Sequence, residues 1–196
     1  MTFDGKTALL VVDMQNDFVD PNGTLEVAGA GEVIPFVNDR IAEAESAGSV
    51  VVFTQDWHPF STPHFEKDGG LWPIHCIGES WGAEFHPALL VVDDAPIVRK
   101  GTGGEDGYSG FSVRDPNDPD ATTPTRLHGL LADRGIQRVV IVGVATDYCV
   151  KETALDAARL GYETIVLADG IRAVDLAPGD GKTATAAMRE AGVSVR

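Results

Sequence analysis

"QRVVIVGVATDYCVKETALDAARLGYETIVLADG" (residues 137–170) decides the fold. An apolar run passes through a short turn into an amphipathic stretch, and a second apolar run follows. Near-continuous apolar runs are the pattern of parallel strands buried on both faces, and parallel neighbours need a helix-length crossover between them. The same alternation extends outward. Upstream, TALLVVD (7–13) reads as a strand, and residues 30–48 as a helix through Val33, Phe36, Val37 and Ile41, with Gly48 as its stop. Residues 49–56 and APIVRK (95–100) read as strands, and 123–135 as a helix with Thr123 as its N-cap and Pro124 in its first turn. Downstream, GKTATAAMREAG (181–192) is a helix and VSVR (193–196) a short last strand. This order predicts a three-layer α/β/α architecture with a mostly parallel sheet, in one domain spanning 1–196.

Two connections stand out, 57–95 and 101–122, because structureless loops beyond about 12–15 residues are uncommon unless they are functional. The polar, proline-broken RDPNDPDATTP (114–124) reads as loop. A chain of 196 residues with 43% apolar and 23% charged residues can bury a real core. Its 15 basic and 30 acidic residues give a net charge of −15, which disfavours nucleic acid and anionic membrane surfaces as partners. No apolar run approaches the ~20 residues that span a bilayer, and the N-terminal stretch lacks the pattern of a secretory leader. Two cysteines make no disulfide framework, so a cytoplasmic, reducing context is expected.

Ligands of open α/β sheets bind beyond the carboxyl ends of the strands. Asp13, Asp56 and Lys100 end three of the predicted strands, and Cys149 follows a fourth. A thiol at a helix start, beside a lysine, is expected to favour its thiolate. Asp13 is placed to take the thiol proton and return it to a leaving amine. Backbone N–H groups around Ala145 and Cys149 are candidates for an oxyanion hole. Asp13, Lys100 and Cys149 are thus a set of parts for acyl transfer at an amide. The stretch QDWHPFSTPHFEKDGGLWPIHC (55–76) supplies Asp56, His58, His64 and His75, an oxygen and nitrogen donor set suited to Zn²⁺, Fe²⁺ or Mn²⁺. His86 and His128 lack such company and read as structural or surface residues, and Cys76 as a bystander thiol.

VVDMQNDF, QDWHP followed by His64, WPIHC, IVRKG, YSGF and GVATDYCV occur here in one order. In these motifs the chain resembles the nicotinamidases (pyrazinamidases) of the isochorismatase-like cysteine hydrolase superfamily. The resemblance implies hydrolysis of nicotinamide, with Cys149 as nucleophile, Asp13 as general acid and base, and Lys100 as third member. It implies one divalent metal, Zn²⁺ first, held by Asp56, His58, His64 and His75 and contacting the substrate's ring nitrogen. It also implies a ring sandwiched by Phe18 and Trp72, a pocket lined by Tyr108, a cis Val144–Ala145 peptide, and assembly as a homo-oligomer. Carbamoyl or ureido amidohydrolases of the same superfamily share the Asp–Lys–Cys set but have no pyridine nitrogen to hold, so the four metal-ligand positions weigh against them. The ether-cleaving isochorismate hydrolases are disfavoured because they do not need the cysteine, which leaves a catalytically silent scaffold and a thiol redox sensor resolved by Cys76 as the remaining alternatives.

Overall fold

The computed structural model describes residues 3–105, 107–115 and 118–196. At its centre lies β1 (Thr7–Val12), every residue of which is buried. On one side β1 pairs in parallel with β2 (Val50–Asp56), and β2 with β3 (Ile97–Lys100). On the other it pairs with β6 (Arg138–Val144), which continues to β7 (Glu163–Arg172) and β8 (Ser194–Val195). The sheet order is therefore β3-β2-β1-β6-β7-β8, parallel throughout.

Successive side chains of a strand point to opposite faces, and β1 sorts accordingly. Leu9 and Val11 pack with Val33, Val37 and Ile41 of α2 (Ala30–Ser46), while Ala8, Leu10 and Val12 face the opposite core. That second core contains Leu127 and Leu131 of α3 (Leu127–Asp133), Ala154 and Ala157 of α4 (Lys151–Arg159), and Met188 of α5 (Asp180–Glu190). Helices thus cover both faces, the three layers expected of the alternating pattern. The α2 helix stops where its glycine predicts. Gly48 takes φ +70°, which its missing Cβ permits, and its N–H donates to Glu45 O at 3.0 Å. The only helix within 13–29 is the single-turn α1 (Asn16–Val19), and 57–95 holds two short 3₁₀ turns.

Two local expectations fail. Within the expected loop at 114–124, residues 116 and 117 lie outside the described residues, and the rest are not loop. They form an antiparallel pair of β4 (Ser112–Asp115) and β5 (Asp118–Pro124), with Val113 opposite Thr123 and Arg114 opposite Thr122. The β-branched residues supply the ladder, and Pro124 sits at the strand end, where proline is tolerated. Because Thr123 and Pro124 belong to that strand, they do not start the next helix. Instead the Thr125 hydroxyl accepts the Leu127 N–H at 3.1 Å as α3 begins.

Candidate active site

The β1–β6 pair is where the chain order switches direction across the sheet, so the crevice beyond its carboxyl ends is the expected binding site. Asp13 lies there, one residue past β1, fully buried with φ +49°. Thr54 of β2 fixes it: the Thr54 hydroxyl donates to Asp13 Oδ1 at 2.6 Å. Lys100, paired with Asp56 across the β2–β3 ladder, is buried and brings its ammonium to 2.8 Å from Asp13 Oδ2. The same ammonium donates to Asp56 Oδ1 and lies 3.4 Å from Cys149 Sγ. One buried cation thus serves two carboxylates and a thiol, which offsets much of the cost of taking these groups out of water.

Electrostatics correct one expectation. Burial first, and then Asp13 and Asp56, push the Cys149 thiol well above its ordinary range despite the opposing Lys100. The resting sulfur is therefore protonated rather than a thiolate, because burial disfavours the charged form more than the ammonium favours it. Burial also raises the Asp13 carboxyl, with Asp56 adding to the rise and Lys100 opposing it. Burial opposes ionisation of Asp56 as well, yet Lys100 and the neighbouring His58 and His75 rings hold its carboxyl well below the usual range. For Lys100, burial is outweighed by Asp13, Asp56 and Cys149, so its ammonium persists.

Cys149 itself is not in the first turn of a regular α-helix. Thr146–Val150 forms a π-turn ahead of α4, in which the Tyr148 and Val150 N–H groups both donate to Ala145 O. The Val144–Ala145 peptide is cis. Asp147 in this turn accepts the N–H groups of Val174 and Asp175 at 3.0 and 2.8 Å, tying the chain after β7 to the nucleophile's turn.

The second cluster shares a wall with the first. His58, His64 and His75 place one ring nitrogen each within 4.8 Å of one another. Asp56 Oδ2, the oxygen turned away from Lys100, lies 3.6 Å from His58 Nε2 and 3.8 Å from His75 Nε2. Both ring nitrogens of His58 are buried without a hydrogen-bond partner, and orphaned buried polar atoms of this kind call for a ligand. His75 Nδ1 lies 2.8 Å from Pro73 O; donation there leaves Nε2 as the coordinating atom, the usual arrangement around a metal-bound histidine. The donor set therefore fits a borderline divalent ion. A second group of donors, Asp13, Asp56 and Cys149, is equally close, but the Lys100 ammonium already supplies its positive charge.

A cavity of about 30 Å³ joins the two clusters. Phe18, Trp72, Tyr108, Ala145 and Cys149 line it with Asp56, His64 and His75, whereas Asp13, His58 and Lys100 are not among its lining residues. Phe18 lies against His75 at 5.4 Å between ring centroids, and the Tyr108 hydroxyl accepts the Trp72 indole N–H at 2.8 Å. Leu25, Val27, Val144, Tyr148 and Val174 complete the walls and were not anticipated. His86 and His128 stay outside: His86 Nδ1 accepts the Ala88 N–H at 3.2 Å, and His128 Nδ1 lies 2.9 Å from the Tyr162 hydroxyl.

Two supporting residues were also missed. Gln15 donates to Asp56 O at 2.7 Å and to Ala83 O at 2.9 Å, and accepts the Asp56 N–H at 2.8 Å. Asp17 accepts the Cys76 N–H at 2.7 Å, next to His75. Both lie in the VVDMQNDF motif, and their signal was the polar run Gln15, Asn16 and Asp17 shortly after a buried strand.

Residues 7–196 match the model of the isochorismatase domain. The chain is 40% identical over 186 residues to the nicotinamidase of Acinetobacter baylyi, covering 86% of this chain and 82% of that one. Among solved structures it resembles the pyrazinamidase of Pyrococcus horikoshii in complex with zinc, with TM-score 0.86, 38% identity and coverage of 97% and 98%. It also resembles PnC1 from L. infantum in complex with nicotinate, with TM-score 0.88, 35% identity and coverage of 100% and 95%. By this match, and by a sheet that carries acid, lysine and thiol on one rim, the chain belongs to the isochorismatase domain family.

Proposed function

We propose that this protein is a metal-dependent cysteine amidohydrolase that converts nicotinamide to nicotinate and ammonia, and pyrazinamide, a near-isostere, to pyrazinoate. The observation that carries the reading is the shared cavity. Cys149 of the Asp13–Lys100–Cys149 cluster and His64 and His75 of the histidine cluster meet there with Asp56, between the aromatic side chains of Phe18, Trp72 and Tyr108. The zinc and nicotinate complexes of the similar structures support the same chemistry.

In the proposed mechanism Cys149 Sγ attacks the carboxamide carbon as its proton passes to Asp13, the carboxylate that Lys100 and Thr54 hold in place. The N–H groups of Ala145 and Cys149 hold the oxyanion. The C–N bond then breaks, Asp13 returns the proton to the leaving nitrogen, and ammonia departs from a thioester. Water attacks the thioester and gives a proton to Asp13, and the released sulfur takes that proton back. Phe18, Trp72 and Tyr108 orient the ring and exclude water. Asp56, His58, His64 and His75 would hold one divalent ion, Zn²⁺ first and Fe²⁺ or Mn²⁺ as alternatives. When bound, that ion supplies a Lewis-acid contact for the ring nitrogen.

The chain acts as one domain, as a homo-oligomer and in the cytoplasm under this reading. No helix among the described residues is long and apolar enough to cross a membrane. Ammonia release from nicotinamide tests the activity. Wild-type protein is expected to release it, Cys149→Ala to lose release, and chelation to raise KM more than it lowers kcat. Release from ureido or carbamoyl amides, with none from nicotinamide, would replace this substrate assignment.

A further inference from the structure

Tyr108 enters the cavity from a segment without regular structure, residues 107–111. Helix α4, which follows directly from the nucleophile's turn, holds that segment. Thr153 is fully buried, and its hydroxyl oxygen accepts the Gly110 N–H at 2.9 Å. Three residues on, on the same helix face, Asp156 is buried, and its Oδ2 accepts the hydroxyls of Ser109 and Ser112, each at 2.7 Å. Ser109 Oγ in turn accepts the Phe111 N–H at 3.0 Å. A Cβ on residue 110 would press to 3.2 Å against Leu127 and Thr54, so a bare glycine suits this close approach.

The two oxygens of Asp156 differ in surroundings. Oδ1 pairs with Arg159 at 2.8 Å, but that side chain is 72% exposed, and such pairs contribute little. Oδ2 receives two hydroxyls, that of Ser109 buried and that of Ser112 partly buried, the stronger, charge-assisted kind of bond. From there contacts run to the pocket. Tyr108 accepts the Trp72 N–H, and its ring lies 5.7 Å from that of His64 and 5.4 Å from that of Tyr148. Asp156 does not line the cavity.

We infer that Asp156 is a positioning residue for substrate recognition. It holds Ser109 and Ser112, which fix Tyr108, and through Tyr108 it sets the Trp72 face of the ring site. The inference rests on the amidohydrolase reading above. It assigns to Asp156 a part in binding the aromatic ring and none in bond making.

The test measures kcat and KM for nicotinamide in the wild type, Asp156→Ala, Asp156→Asn, Tyr108→Ala and the Asp156→Ala/Tyr108→Ala double variant. Asp156→Ala is expected to raise KM on the order of tenfold and to leave kcat within about twofold, the pattern of lost ring binding. Asp156→Asn keeps an acceptor but loses the charge, and falls between. In the double variant KM is no higher than in Tyr108→Ala alone, because nothing is left to position. KM effects that multiply, or equal falls in kcat and kcat/KM, overturn the inference. If Asp156→Ala does not fold, Asp156→Asn with and without Tyr108→Ala poses the same question. A wild type inactive on nicotinamide overturns the amidohydrolase reading and this inference together. An active wild type with multiplying effects overturns this inference alone.

Discussion

The two halves of the pocket are built by different means. Asp13, Asp56 and Lys100 stand at or just past the ends of adjacent parallel strands, where the ladder pairs Asp56 with Lys100 directly. Their positions follow from backbone register. His64, Trp72 and His75 ride on the segment 57–95, which has two short 3₁₀ turns and isolated bridges in place of a ladder. Their positions depend on side-chain clamps from elsewhere: Gln15 on Ala83, Asp17 on Cys76, and Tyr108 on Trp72. The strand-end half should fail all at once when a charge is lost, and the loop half by degrees as clamps are removed.

The largest effect should come from Lys100→Met, which keeps volume but leaves two buried carboxylates without their cation. Removing one partner of such a cluster costs about 3–5 kcal/mol, and denaturant melts should show it. With Asp13 no longer held, kcat should drop by about 10²–10⁴-fold. A variant that kept both stability and rate would break the comparison. Gln15→Ala should act on the other half. Supporting-shell losses around a metal typically weaken affinity about 10–100-fold, so zinc titration should weaken by that order while iodoacetamide still alkylates Cys149. The smallest effect is one of pH. Since burial and the carboxylates raise the Cys149 pKa, the thiolate fraction grows as pH rises. Alkylation should therefore climb by about tenfold per unit from neutral upward, with no plateau on the acid side. A rate already flat at pH 6–7 would show a resting thiolate and reverse the electrostatic assignment.

The strand-end half was legible in the sequence because apolar runs ending in Asp13, Asp56 and Lys100 announce both a buried strand and what stands at its tip. The histidines were legible as a donor set, since three of five fall between 58 and 75. What the sequence hid depends on contacts distant along the chain. The pairing of β4 with β5 was hidden because a polar, proline-containing sequence reads as loop. The protonation of Cys149 follows from burial, which no local pattern reports. The clamps of Gln15 and Asp156 join residues 41 and 47 positions apart, and a polar residue in a motif does not name its partner.

The central place of β1 has a consequence for how the chain is made. It is made before the other strands of its sheet, yet Thr7 of β1 pairs with Arg138 of β6, whose side chain also reaches Thr7 across 131 positions. At ordinary synthesis rates of about 5–20 residues per second, β1 waits about 7–26 s for that neighbour. During that time an unbroken apolar strand stands with one edge unpaired. Long-range parallel pairing of this kind is intrinsically slow. The nascent chain is thus an expected client for ribosome-associated chaperones until β6 emerges, and the nucleophile's cradle closes only when the sheet does.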